Sequence, residues 1–101
     1  MKVVNIGEVK KVILDNKQII RNYGVNKLGL FGSFVRNEQG ENSDVDLLVD
    51  FDKGKKTFRN FMGFADFMEK TLGRKVEVVT LQSLSPFIGP YILKETQYVE
   101  V

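Results

Sequence analysis

The sequence contains no cysteine and no histidine among its 101 residues. Without cysteine, disulfides and thiolate zinc sites are excluded. Without histidine, imidazole is lost both as a general base and as a metal ligand, and carboxylates are left for both tasks. A divalent ion would then be held by oxygen, which favours Mg2+ or Mn2+ over zinc. Charge of one sign is also in short supply. Fifteen basic against thirteen acidic residues leave a net charge of +2, too little for a surface that coats nucleic acid, and no direct nucleic-acid binding is expected. No apolar run approaches the roughly 20 residues a membrane span needs. No signal-peptide pattern opens the chain, so no membrane partner and a cytoplasmic location are expected.

What is present describes a folding chain. With 43% hydrophobic and 11% aromatic residues, a packed globule is expected. At this length one domain, residues 1–101, is expected to bury roughly 65% of its unfolded surface. The densest basic cluster, Lys53, Lys55, Lys56 and Arg59, reads as a solvated loop.

Asn5, with Glu8 three residues on, signals a helix start. Val9, Val12, Ile13, Ile19, Ile20 and Tyr23 recur at helical spacing up to Gly24, a left-handed stop. Lys27 to Phe31 reads as a buried strand ended by Gly32-Ser33. Residues 34–43 form a polar loop with one helical turn at its start. Asp44 to Phe51 is a second strand, too continuously apolar to be half exposed. Phe58, Phe61, Met62, Ala65, Met68 and Leu72 predict a second long helix, stopped by Gly73. Phe64 and Phe67 widen its apolar side, as core packing or as a docking surface. Lys75 to Thr80 is a third strand, and a short helix is expected over Tyr91 to Gln97. Strands interleaved with helices predict an α/β (α+β) fold, a small mixed β-sheet with helices packed on it.

The informative segment is Gly32-Ser33 through Asp44-Val45-Asp46. Side chains two apart on a strand share a face, so Asp44 and Asp46 stand with Cα atoms about 7 Å apart. Two like charges on one buried strand repel, and a divalent cation removes the repulsion. The pair also admits a plainer explanation, a polar strand start with Asp44 as a turn cap. Gly32 lets backbone approach a ligand, and Ser33 offers a hydroxyl and an amide to an anion. Arg36, about one turn later, is either a bidentate phosphate donor or a surface residue. Glu77, between Val76 and Val78, is a third carboxylate. It either faces the same site, as metal ligand or proton acceptor, or points to water from an edge strand.

Gly32-Ser33, ten residues, then Asp44-Val45-Asp46 resembles the G-S-x10-D-x-D signature of the polymerase-β-like nucleotidyltransferase superfamily. It is most similar to the minimal nucleotidyltransferase (MNT) antitoxins of HEPN–MNT toxin–antitoxin modules, and the likeness spans nearly the whole chain, Pro90-Tyr91-Ile92-Leu93-Lys94-Glu95 included. The resemblance implies the nucleotidyltransferase fold, with Ser33 on the phosphates and Asp44 and Asp46 on the metals. At the third carboxylate the family usually has Asp, and this chain has Glu77.

On that basis the expected activity is Mg2+-dependent transfer of AMP from ATP. Two ions on Asp44, Asp46 and Glu77 would serve an in-line attack that releases pyrophosphate. By the resemblance, the acceptor is a tyrosine of a HEPN toxin, bound as a hetero-oligomer, and the chain acts as its antitoxin. Two rivals are an antitoxin that neutralises by binding alone and an enzyme acting on a small molecule or an RNA end. Size and modest charge weigh against the latter.

Overall fold

The computed structural model describes Met1–Val101, and the first helix, α1 (Ile6–Asp15), begins at the expected cap. Asn5 Oδ1 accepts the Glu8 N–H at 2.9 Å, and Glu8 Oε1 accepts the Val4 N–H at 2.8 Å. The single helix expected up to Gly24 is two. Asn16 breaks it: its side-chain amide donates to the Val12 carbonyl at 2.8 Å and its N–H turns back to Ile13, competing with the helical ladder. α2 (Lys17–Asn22) follows, and Gly24 turns the chain at φ +90°.

β1 (Val25–Phe31) and β2 (Val45–Phe51) pair antiparallel. α3 (Phe58–Leu72) starts on Thr57, whose hydroxyl accepts the Asn60 N–H at 3.1 Å, and stops at left-handed Gly73. It carries the chain back so that β3 (Val76–Thr80) runs parallel to β2, as a helical crossover allows. A 3-10 turn, Leu81–Ser83, leads to α4 (Gly89–Glu95), which starts and ends two residues earlier than expected because β4 (Gln97–Val99) follows at once. β4 pairs antiparallel with β1, giving the strand order β3-β2-β1-β4. The mixed sheet with packed helices is the expected fold class.

The core occupies one face of this sheet. Leu28, Leu30, Val45, Leu47 and Val49 meet Val9, Val12, Ile13 and Ile20 from the first two helices and Phe64, Met68 and Leu72 from α3. Each such side chain contributes about 1.5–3 kcal/mol by leaving water. On α3 the buried line differs from the one the sequence implies: Phe64 is fully buried, whereas Phe58 is 82% and Met62 48% exposed. Phe64 therefore belongs to the core, and Phe67 packs on Tyr23 with ring centroids 6.1 Å apart. Ile19 is likewise 42% exposed. No helix is long and apolar enough to cross a membrane.

Candidate active site

Alternation along β2 turns Asp46 to the sheet face opposite the core residues Val45 and Leu47. β3 lies beside it in register, with Asp46 opposite Glu77, so both carboxylates share one face. Asp46 is half buried and Glu77 exposed. Burial, then the charges of Glu77 and Asp44, push the Asp46 carboxyl up from 3.8 to about 6. Asp44 is exposed and sits one residue ahead of β2. It is carried on a loop whose carbonyls at Gly40, Glu41 and Ser43 all accept from Arg74 Nη1, at 3.0, 3.2 and 2.9 Å. The Arg74 guanidinium also donates to the Val3 carbonyl at 2.7 Å and lies 5.0 Å from the centre of the Phe34 ring.

The turn after β1 meets this carboxylate. Gly32 holds φ +79°, and a Cβ there would overlap Asp46 Oδ2, so only glycine brings the backbone this close. The Gly32 carbonyl accepts the Val35 and Arg36 N–H groups at 3.1 and 3.2 Å, and the Ser33 carbonyl accepts that of Glu38 at 2.8 Å. This is the helical turn expected at the start of the loop. The N–H groups of Ser33 and Phe34 meet no acceptor within the protein. Consecutive free amides of this kind bind anions.

Arg36 lies in the same groove as Asp46 and Gly32 and is paired within the protein. Its Nε donates to Glu38 at 2.7 Å and its Nη1 to both oxygens of Glu95, at 2.9 and 3.1 Å. Those two partners raise its pKa above the ordinary arginine value. Its Nε and Nη1 are thus engaged by carboxylates, while Nη2 has no partner within the protein. Its positive charge still reaches Asp46, where it opposes the upward shift. Asp46, Gly32, Arg36 and Glu95 line one groove of about 320 Å3 with Phe31, Ile88, Tyr91 and Ile92, the low end of small-molecule sites.

The donor set suits a hard divalent cation, since it offers only oxygen and its charges repel one another. The carboxylates do not, however, close into a ready group of three that could hold a metal ion. Asp46 and Glu77 are adjacent, while Asp44 opens on a neighbouring polar groove with Lys2, Ser43, Arg74 and Lys75. Sequence reasoning missed two residues that shape this site, Arg74 and Glu95. Arg74 carried one visible signal, a charged residue between a helix-stopping glycine and a buried strand.

Comparison with known proteins agrees with this geometry. The model of the nucleotidyltransferase domain family matches residues 8–99. The protein adenylyltransferase MntA of Thermococcus cleftensis is 35% identical over 100 residues, 98% of this chain and 100% of that one. A solved minimal nucleotidyltransferase superposes with a TM-score of 0.80 at 26% identity, over 93% of this chain and 95% of that one. Two further structures share the fold. A toxin–antitoxin structure with AMP-PNP gives 0.68 at 21% identity, over 88% and 70%. The complex of the tri-AMPylated Shewanella oneidensis HEPN toxin with an MNT antitoxin gives 0.56 at 20%, over 86% and 70%. A Gly-Ser turn closed against a β-strand aspartate, with a family match over nearly the whole chain, makes this protein a member of the nucleotidyltransferase domain family.

Proposed function

We propose that residues 1–101 work as one minimal nucleotidyltransferase domain that moves AMP from ATP to a tyrosine hydroxyl of a HEPN-type partner. The chain would thereby act as an antitoxin in the cytoplasm. One juxtaposition supports the chemistry above all. Asp46 and Glu77 are register partners on one sheet face, beside a turn with two unpartnered N–H groups. Support for AMP and for the partner comes from the names of the adenylyltransferase relative and of the AMPylated toxin complex.

The Ser33 and Phe34 amides and the Ser33 hydroxyl receive phosphate oxygens of ATP. Asp46, Glu77 and Asp44 are the oxygen ligands that would hold Mg2+, which when bound neutralises phosphate charge and acidifies an attacking hydroxyl. The tyrosine oxygen attacks the α-phosphorus in line. A new O–P bond forms as the bond from the α-phosphorus to the bridging oxygen breaks, and pyrophosphate leaves. A phenol has a pKa of about 10, so its proton needs an acceptor at neutral pH. Glu77, exposed at the sheet edge, is accessible to a hydroxyl arriving from another protein.

One observation favours the rival in which the chain silences its toxin by binding alone. The three carboxylates do not form a closed metal group, and the third is the longer Glu77. ATP labelled in turn on its α- and γ-phosphates separates the two. Transfer requires α-label on the partner and γ-label in pyrophosphate. A silenced partner carrying neither label establishes occlusion.

A further inference from the structure

Glu95 sits 63 residues from Gly32 in the chain yet accepts its N–H at 2.6 Å. The sheet brings them together. β4 pairs with β1 at Gly29↔Tyr98 and Leu30↔Gln97, and the same register carried two residues further sets Glu95 opposite Gly32. The Glu95 carboxylate also binds Arg36 Nη1 through both oxygens, and its side chain is only 26% exposed. One carboxylate therefore ties together the first residue of the turn, the arginine at its end and the junction of α4 with β4.

We infer that Glu95 is a positioning residue for the phosphate-binding turn, one that fixes the Gly32 peptide and draws Arg36 aside. This rests on the nucleotide site proposed above. A backbone N–H held by a charged acceptor is fixed in orientation, and the next two amides, of Ser33 and Phe34, remain unpartnered beside Asp46. Binding a phosphate there then needs no reordering of the turn, so less affinity is lost to ordering. Glu95 occupies donors that a phosphate would otherwise contest. It acts as a built-in anion that directs the nucleotide to the second and third amides instead of the first. Arg36, held at Nε by Glu38 and at Nη1 by Glu95, belongs to the support of the turn.

Amide NMR and calorimetry on the full chain test this. In the wild type with Mg2+, added ATP should move the Ser33 and Phe34 amide signals and leave that of Gly32 far downfield, where a short charge-assisted hydrogen bond places it. Loss of that downfield position on ATP binding would show the phosphate replacing the carboxylate, and would overturn the inference. Glu95→Ala should weaken ATP binding about tenfold or more, the scale of a hydrogen bond to a charged group. Glu95→Gln, whose amide oxygen still accepts from Gly32, should recover part of the loss. Two variants that are folded and bind ATP as tightly as the wild type, or more tightly, would also overturn it. A wild type that binds no ATP removes the nucleotide site and the inference with it. Normal wild-type binding with unaffected variants removes the inference alone.

Discussion

Asp46 on β2 and Glu77 on β3 stand directly opposite each other across a parallel pair of strands. Two carboxylates in such a position destabilise the protein unless a proton or a cation lies between them. That tension ties the stability of the fold to the state of the site.

The first consequence is a pH dependence of stability. The Asp46 carboxyl is raised from 3.8 to about 6 by burial and by Glu77 and Asp44. Between these values the folded protein keeps a proton that the unfolded chain has lost, so stability falls as pH rises through the window. Asp46→Asn should therefore match the wild type near pH 4 and exceed it above pH 6 in EDTA. A shift of this size corresponds to about 3 kcal/mol, which solvent screening at a half-buried group reduces to roughly 1–2 kcal/mol. Thermal melts across pH read the difference, and added Mg2+ should close it by stabilising only the wild type.

Gly32 and Gly54 provide a matched pair. Both hold φ +79°, but a Cβ at Gly32 meets the Asp46 carboxylate, whereas at Gly54 it meets nothing. Gly54→Ala should cost about 1–2 kcal/mol of backbone strain and leave ATP binding intact. Gly32→Ala should cost at least as much and abolish ATP binding by displacing Asp46. Equal calorimetric affinity in the two variants would dissociate the turn from the site.

Glu77→Gln and Asp44→Asn, both at exposed residues, should cost no stability and, without metal, should gain the part of the Asp46 repulsion that each removes. Each should lower AMP transfer by roughly a hundredfold or more, the usual scale for a lost acid–base or metal-ligating group. A large loss of stability in either would make that carboxylate structural.

Arg74 shows what linear order conceals. It follows Gly73 with no motif around it, yet it is buried and donates to carbonyls of Val3, Gly40, Glu41 and Ser43. It thereby shapes the loop that delivers Asp44. Arg74→Met keeps the apolar stem and leaves the Val3 and Ser43 carbonyls unpaired, while Gly40 and Glu41 keep the Ser43 N–H and Lys2 Nζ, so about 2–4 kcal/mol should be lost in urea denaturation. A loss below about 0.5 kcal/mol would remove it from that role.

The elements that were legible in the sequence carry their own local signals. Asn5 with Glu8 marks α1, and Gly73 marks the end of α3. The Gly32-Ser33 to Asp46 segment was legible for the same reason, since turn, glycine and alternating strand are all local. β4 was not, because three residues with Gln97 and Tyr98 exposed carry no pattern until β1 is there to pair with. Glu95 escaped for the same reason, its partners lying 59 and 63 residues away. The break at Asn16 turns on one side-chain hydrogen bond, and the rotation of α3 that buries Phe64 and exposes Phe58 depends on how it meets the sheet. Helical spacing alone fixes neither.

Intact-protein mass spectrometry of a HEPN-type partner, incubated with this chain, ATP and Mg2+, tests the central claim most directly. The partner should gain one or more AMP units with the wild type and none with Asp46→Asn. A partner that is bound and silenced at unchanged mass would contradict the transferase account.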